Sequence, residues 1–85
     1  MKIKIISAVW CPSCLVMNKI WKQFKEEYPQ IQIEKYDYDF DEDIVSKYNV
    51  GKKLPVTIFF DENDTEINRL EGEITYEEII KNINN

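Results

Sequence analysis

The chain has 85 residues, which is enough for one domain, residues 1–85. Its composition, 44% hydrophobic and 32% charged residues, is that of a globular protein. The net charge is −5 and no basic patch is visible, which argues against a nucleic-acid partner. No apolar run approaches the roughly 18 residues of a membrane span. Residues 1–6 are too short for a signal peptide, so a cytosolic protein without membrane contact is expected.

Hydrophobic periodicity predicts a strand, a helix and a second strand in the first half of the chain. The first strand is Lys2–Ser7, where isoleucines supply an apolar, β-branched face. The helix covers Pro12–Glu27 and stops before Pro29, because the residue preceding a proline avoids helical angles. Its apolar residues recur at helical spacing, namely Met17, Ile20, Trp21, Phe24 and Tyr28. A second strand over residues 30–36 completes a parallel, right-handed β-α-β unit.

Residues 38–43 are strongly acidic and are predicted to begin a short second helix. Asp39 or Asp41 can cap this helix, and the helix dipole favours carboxylates there. A calcium loop is the less favoured alternative, because the glycine-centred ligand spacing is missing. Apolar residues mark the helix at Ile44, Val45 and Tyr48. Asn49 is predicted to end it in a left-handed conformation.

The second half predicts a hairpin followed by a helix. Residues 54–60 form the most apolar strand, which is expected at the centre of the sheet with both faces covered. After a loop at 61–64, the charged strand Glu66–Glu71 returns antiparallel as an edge strand. Thr75 and Glu78 form a capping box for the last helix. The buried side of that helix is Tyr76, Ile79, Ile80 and Ile83. The predicted order is β-α-β-α-β-β-α.

The only two cysteines lie in Trp10-Cys11-Pro12-Ser13-Cys14, between the first strand and the helix. Cys11 occupies the predicted N-cap, and Pro12 suits the first helical position because its missing N–H has no helical partner anyway. The unpaired amides and the dipole favour a thiolate, so Cys11 is the predicted nucleophile. Cys14, one turn further and expected to be more buried, would resolve the mixed disulfide. These residues predict a thiol–disulfide oxidoreductase whose redox group is the Cys11–Cys14 disulfide, with no other cofactor.

Two other classes of function remain open. A single Cys-x-x-Cys offers two ligands where a structural zinc site needs four, and the chain has no histidine. Metal binding would therefore need a site shared in a dimer, or two-coordinate Cu(I). The third class is a redox-inert interaction module, against which the intact dithiol argues.

Three features resemble the thioredoxin superfamily: the dithiol motif after the first strand, the Leu54-Pro55 pair that opens a later apolar strand, and Gly72 after a hairpin. The resemblance covers essentially the whole chain and implies a thioredoxin fold, an α/β four-stranded mixed sheet flanked by three helices. It implies that Pro55 is cis and packs against the dithiol, and that Leu54 offers its backbone to an extended substrate segment. The residues implied to contact the substrate are Trp10, Pro12, Leu54, Pro55 and Gly72.

The resemblance also implies partners. These are proteins with reducible disulfides, and an electron donor that is either a flavoprotein like thioredoxin reductase or glutathione. The chain is expected to act as a monomer.

Two departures from the family pattern matter. The first bears on how the mixed disulfide is resolved, and the second bears on which electron donor is used. Ile5 stands where thioredoxins carry a buried carboxylate, so water, Lys35 or Asp37 would have to replace it, or resolution of the mixed disulfide would be slower. Ser13 replaces the tyrosine common in glutaredoxins, and residues 72–74 lack their paired glycines. A protein-disulfide reductase is therefore favoured, and a glutathione-coupled, glutaredoxin-like enzyme is the alternative.

Overall fold

The structure is a computed structural model that describes residues 1–84. Its strands are β1 (Lys2–Ser7), β2 (Gln32–Asp37), β3 (Val56–Phe60) and β4 (Glu66–Glu71). Its helices are α1 (Pro12–Glu27), α2 (Glu42–Lys47) and α3 (Tyr76–Ile83). The predicted order β-α-β-α-β-β-α is confirmed.

Two strands differ from their predicted limits. β2 begins two residues later than expected, because the Ile31 amide donates to the Tyr28 carbonyl at 3.1 Å and closes a turn after α1. β3 begins at Val56 rather than at residue 54, since Pro55 has no N–H to donate to the ladder.

The four strands form one mixed sheet in the order β2-β1-β3-β4. β1 pairs parallel with β2, as a β-α-β unit requires, and antiparallel with β3. β3 is central and all five of its residues are buried, whereas β4 is the antiparallel edge strand. Because β1 is also an inner strand, the loop that follows it leaves from the middle of the sheet. The dithiol motif begins in that loop.

The sheet separates two hydrophobic clusters; Phe59 of β3 belongs to the first, and Val56, Ile58 and Phe60 belong to the second. The first cluster joins the sheet to α1 and α3 and contains Ile3, Ile5, Met17, Trp21, Phe24, Phe59, Ile74 and Ile79. The second contains Ile6, Ala8, Cys11, Cys14, Val50, Leu54, Val56, Ile58 and Phe60, and side chains of α2 pack against it. Both cysteines are therefore part of the packed interior. Among the helices of residues 1–84, none is long and apolar enough to cross a membrane.

The helix ends confirm most of the predicted caps. Thr75 and Glu78 form the predicted capping box at α3, and Asn49 has the left-handed φ of 52°. Asp41 is the N-cap residue of α2, but its carboxylate makes no cap hydrogen bond. It accepts instead from the backbone N–H of Asp37 at 2.7 Å, which ties the start of α2 to the end of β2.

Candidate active site

Cys11 and Cys14 occupy the first turn of α1. Cys11 is the N-cap, with extended φ and ψ of −99° and 110°, and Pro12 is the first helical residue, both as predicted. The Cys14 backbone N–H donates to the Cys11 sulfur at 3.3 Å. A sulfur that accepts from a free amide at a helix N-terminus is stabilised as an anion. Both cysteines are free thiols, held one helical turn apart.

Burial does not distinguish the two cysteines. Each is 5% exposed, so the expectation that Cys14 would be the more buried is wrong. The side chains of Cys11 and Cys14 both belong to the second hydrophobic cluster. Burial, and next a hydrogen bond with Cys11, raises the pKa of the Cys14 thiol to about 11. At pH 7 only roughly one Cys14 in ten thousand would then be a thiolate.

The loop before β3 lies against the dithiol. The Leu54–Pro55 peptide bond is cis, as the resemblance implied. Leu54 is 7% exposed and shares a hydrophobic cluster with both cysteines. The Gly72 amide donates to the Pro55 carbonyl at 2.8 Å, which brings these two predicted substrate contacts together. Gly72 has a φ of 81°, a conformation that side chains disfavour.

The Gly72 backbone also passes close to a lysine. A Cβ at position 72 would meet the Lys53 side chain at 3.2 Å. Glycine at this position therefore suits the turn, whereas the flexible Lys53 side chain can shift to admit a Cβ.

Trp10 is held on the surface beside the dithiol. It is 56% exposed, and its indole N–H donates to the Asp39 carboxylate at 2.7 Å. Its ring packs edge-on against Tyr38, with centroids 6.3 Å apart. Sequence reasoning considered Asp39 only as a helix cap. No local pattern links it to Trp10, because 29 residues separate the two.

Exposed apolar residues neighbour the Trp10–Asp39 pair in the chain. Val9 is 78% exposed and Phe40 is 83% exposed, although both are large hydrophobic residues. Pro12, at the start of α1, is also exposed. Val9, Pro12 and Phe40 are thus exposed apolar residues that neighbour Trp10, Cys11 or Asp39 in the chain.

A cavity of about 380 Å³ lies beside Cys14, and Val9 also contributes to its lining. Its lining includes Ser7, Ala8, Cys14, Asn18, Lys35, Asp37 and Asp41. Lys35 and Asp37, the two side chains named as substitutes for a carboxylate at position 5, are thus both in the wall of this cavity. Ile5 itself is 3% exposed and packs in the first cluster with Met17 and Trp21.

The Asp37 carboxylate is already engaged. It accepts from the backbone N–H groups of Asp39 and Phe40 at 2.8 and 3.1 Å. Lys35 instead donates to the Asn18 side-chain carbonyl at 3.0 Å. Within residues 1–84, no three His, Cys, Asp or Glu side chains converge in a way that could hold a metal ion.

The thioredoxin family model matches residues 4–85 of the chain. Over 65 residues the chain is 35% identical to Thioredoxin-1 of Caenorhabditis elegans, which is 76% of this chain and 55% of that protein. It is also 28% identical over 65 residues to Glutaredoxin-3 of Mus musculus, covering 76% of this chain and 19% of that protein. The match therefore spans about half of the first relative and about a fifth of the second.

Solved structures of thioredoxins share the fold of this chain. Thioredoxin-2 of a malaria parasite superposes with a TM-score of 0.89 at 25% identity, over 98% of this chain and 80% of that one. Mitochondrial thioredoxin 3 of Saccharomyces cerevisiae, at 22% identity, shares the fold with a TM-score of 0.86 over 98% of this chain and 76% of that one. The chain belongs to the thioredoxin family. Membership supports a thiol–disulfide oxidoreductase type of function.

Proposed function

We propose that this protein is a protein-disulfide reductase that acts by dithiol exchange through Cys11 and Cys14. The observation that carries the proposal is the hydrogen bond from the Cys14 amide to the Cys11 sulfur at the N-terminus of α1. It gives Cys11 the surroundings of a thiolate nucleophile and keeps a second thiol within one helical turn.

The exchange has two steps. The Cys11 thiolate attacks one sulfur of a partner's disulfide, a mixed disulfide forms, and the other partner sulfur leaves as a thiolate. Cys14 then loses its proton to solvent and attacks the Cys11 sulfur, which releases the partner's second thiolate. The partner gains two electrons, and the dithiol loses two and becomes the Cys11–Cys14 disulfide.

The surface around the dithiol is suited to a protein substrate. Trp10 and Pro12 are exposed beside Cys11, and the Gly72 backbone is close to Pro55 across the site. We assign Leu54 the role of backbone contact for an extended segment of the partner, in the manner of a short added strand.

The protein would act as a monomer in the cytosol.

The test is reduction of insulin disulfides by the reduced protein, with dithiothreitol as the terminal reductant. We expect precipitation of the insulin B chain well above the rate with dithiothreitol alone. Parallel assays with NADPH and thioredoxin reductase, or with glutathione and glutathione reductase, distinguish a thioredoxin-like donor from a glutaredoxin-like one. No acceleration in any of the three assays would contradict the proposed function.

Replacing Trp10 with alanine is expected to lower kcat/KM for a protein disulfide by roughly tenfold, the loss of one aromatic contact of about 1.4 kcal/mol. Reaction of Cys11 with a small aromatic disulfide should change little, because a small reagent does not need the docking surface. Ile67→Ala is the matched control, since Ile67 is 45% exposed and lies toward the far end of the sheet. Equal losses with both substrates would contradict a docking role for Trp10.

A further inference from the structure

Another cavity, of about 280 Å³, is lined by residues of α1, β1 and the edge strand β2. Its inner wall is apolar, because Ile5 and Trp21 are buried and Ile33 is half-buried. Lys22 and Lys25, on the exposed side of α1, also contribute to its lining. This α1–β2 cavity therefore combines an apolar interior with a positively charged rim.

The polar side chains of the α1–β2 cavity are almost entirely hydrogen-bond donors. Its one side-chain acceptor is the Asn18 carbonyl, which already accepts from Lys35 at 3.0 Å. The indole N–H of Trp21 is buried and has no hydrogen-bond partner within residues 1–84. A buried donor without an acceptor costs free energy, so this wall favours a ligand that brings acceptors.

The charge of the cavity is opposite to that of the whole chain. The net charge of the protein is −5, yet three lysines and no Asp or Glu line this cavity. Within residues 1–84, the ion pairs engage the cations Lys2, Lys4 and Arg69 and none of these three lysines. An anion that enters the cavity therefore meets positive charge that no carboxylate of the described chain neutralises.

The apolar part of the cavity continues along the edge of the sheet. An adjoining cavity of about 330 Å³ shares Lys25 and Ile33 with the first one. Its other lining residues are Tyr28, Pro29 and Ile31, which are largely apolar. Each cavity is near the lower end of the roughly 300–1,000 Å³ of ligand sites, so the space suits a small ligand with an extended apolar part.

We propose that the α1–β2 cavity binds a small amphiphilic carboxylate, with one ionised carboxyl group and a hydrocarbon chain. The carboxylate pairs with the ammonium groups of Lys22 and Lys25, and the chain covers the apolar wall at Ile33. Inorganic phosphate would reach the lysines but leave that wall uncovered, and an uncharged lipid would do the reverse. Neither lysine lines the cavity beside Cys14, and this inference does not depend on the proposed function.

The test is a titration of the ¹⁵N-labelled protein with octanoate at pH 7 and low salt, followed through its two indole N–H resonances. The Trp21 resonance should shift and saturate with a dissociation constant of roughly 0.1–1 mM, as expected for a ligand of about ten heavy atoms. The Trp10 resonance should stay in place, because its N–H is held by Asp39 beside the dithiol. Acetate, which lacks the chain, and octan-1-ol, which lacks the charge, should each bind at least about tenfold more weakly.

Matched variants separate the local charges from the charge of the whole protein. Lys22→Gln and Lys25→Gln should each weaken octanoate binding by roughly two- to fivefold, the effect of one solvated charge. Lys19→Gln removes the same net charge from α1, but Lys19 lines neither cavity, so its affinity should be unchanged. Added salt should weaken binding by the unmodified protein more than binding by the Lys22→Gln/Lys25→Gln double variant.

Three outcomes would overturn the proposal. A Trp21 resonance that stays fixed well above the expected dissociation constant would show that the cavity takes no such ligand. Binding of octan-1-ol as tight as that of octanoate would show an apolar pocket without preference for an anion. Equal losses of affinity in Lys19→Gln and Lys25→Gln would show that only the overall charge matters.

Discussion

Replacing Cys11 with serine is expected to abolish disulfide reduction, whereas replacing Cys14 with serine should leave a protein that reacts once and stays attached to its partner. The reason is the division of roles in the first turn of α1. The Cys14 amide donates to the Cys11 sulfur, which suits Cys11 as the attacking thiolate, and in the proposed mechanism Cys14 attacks the Cys11 sulfur afterwards. A serine hydroxyl does neither at neutral pH.

The measurement is turnover on insulin together with mass spectrometry of the protein after exposure to a disulfide partner. Cys14→Ser should carry the partner's mass in near-stoichiometric yield and should lose it on treatment with dithiothreitol. Cys11→Ser should carry almost none. Ser13→Ala, which changes a neighbouring hydroxyl between the two thiols, serves as the control and should keep turnover. Full activity of Cys14→Ser on protein disulfides would contradict the assigned roles.

The largest loss of stability is expected from Phe24→Ala, about 3–5 kcal/mol in the free energy of unfolding. Phe24 is 0% exposed and lies where α1, its C-terminal cap and α3 meet. Its ring packs edge-on against Trp21 at 5.7 Å, is stacked on Tyr28 at 5.0 Å, and contacts Tyr76 edge-on at 6.4 Å. Truncation removes these contacts and leaves a cavity in the first hydrophobic cluster.

Phe40→Ala provides the matched control. Phe40 is 83% exposed, so its truncation should change the free energy of unfolding by no more than about 0.5 kcal/mol. Urea denaturation followed by tryptophan fluorescence measures both variants. A domain of this size has roughly 5–10 kcal/mol of stability, so Phe24→Ala should shift the midpoint strongly at an unchanged slope. Similar midpoints for the two variants would show that Phe24 is not central to the core.

The sequence by itself determined the order of the elements and the place of the dithiol. The limits of α1 follow from Cys11 at the N-cap, Pro12 at the first helical position and Pro29 after the end, all of which act within a few residues. The capping box of α3 and the left-handed Asn49 are equally local. Because such signals depend on neighbours along the chain, they can be predicted without knowing the packing.

The tertiary structure alone decided which groups surround the two sulfur atoms. The packing of the first turn of α1 against the second cluster buries Cys11 as deeply as Cys14. Trp10 meets Asp39, and Lys35 meets Asn18, only because β2 lies beside β1 in parallel register. These contacts join residues 17 to 29 positions apart. Their existence depends on strand order and on the direction in which each side chain leaves the sheet, which no short stretch of sequence specifies.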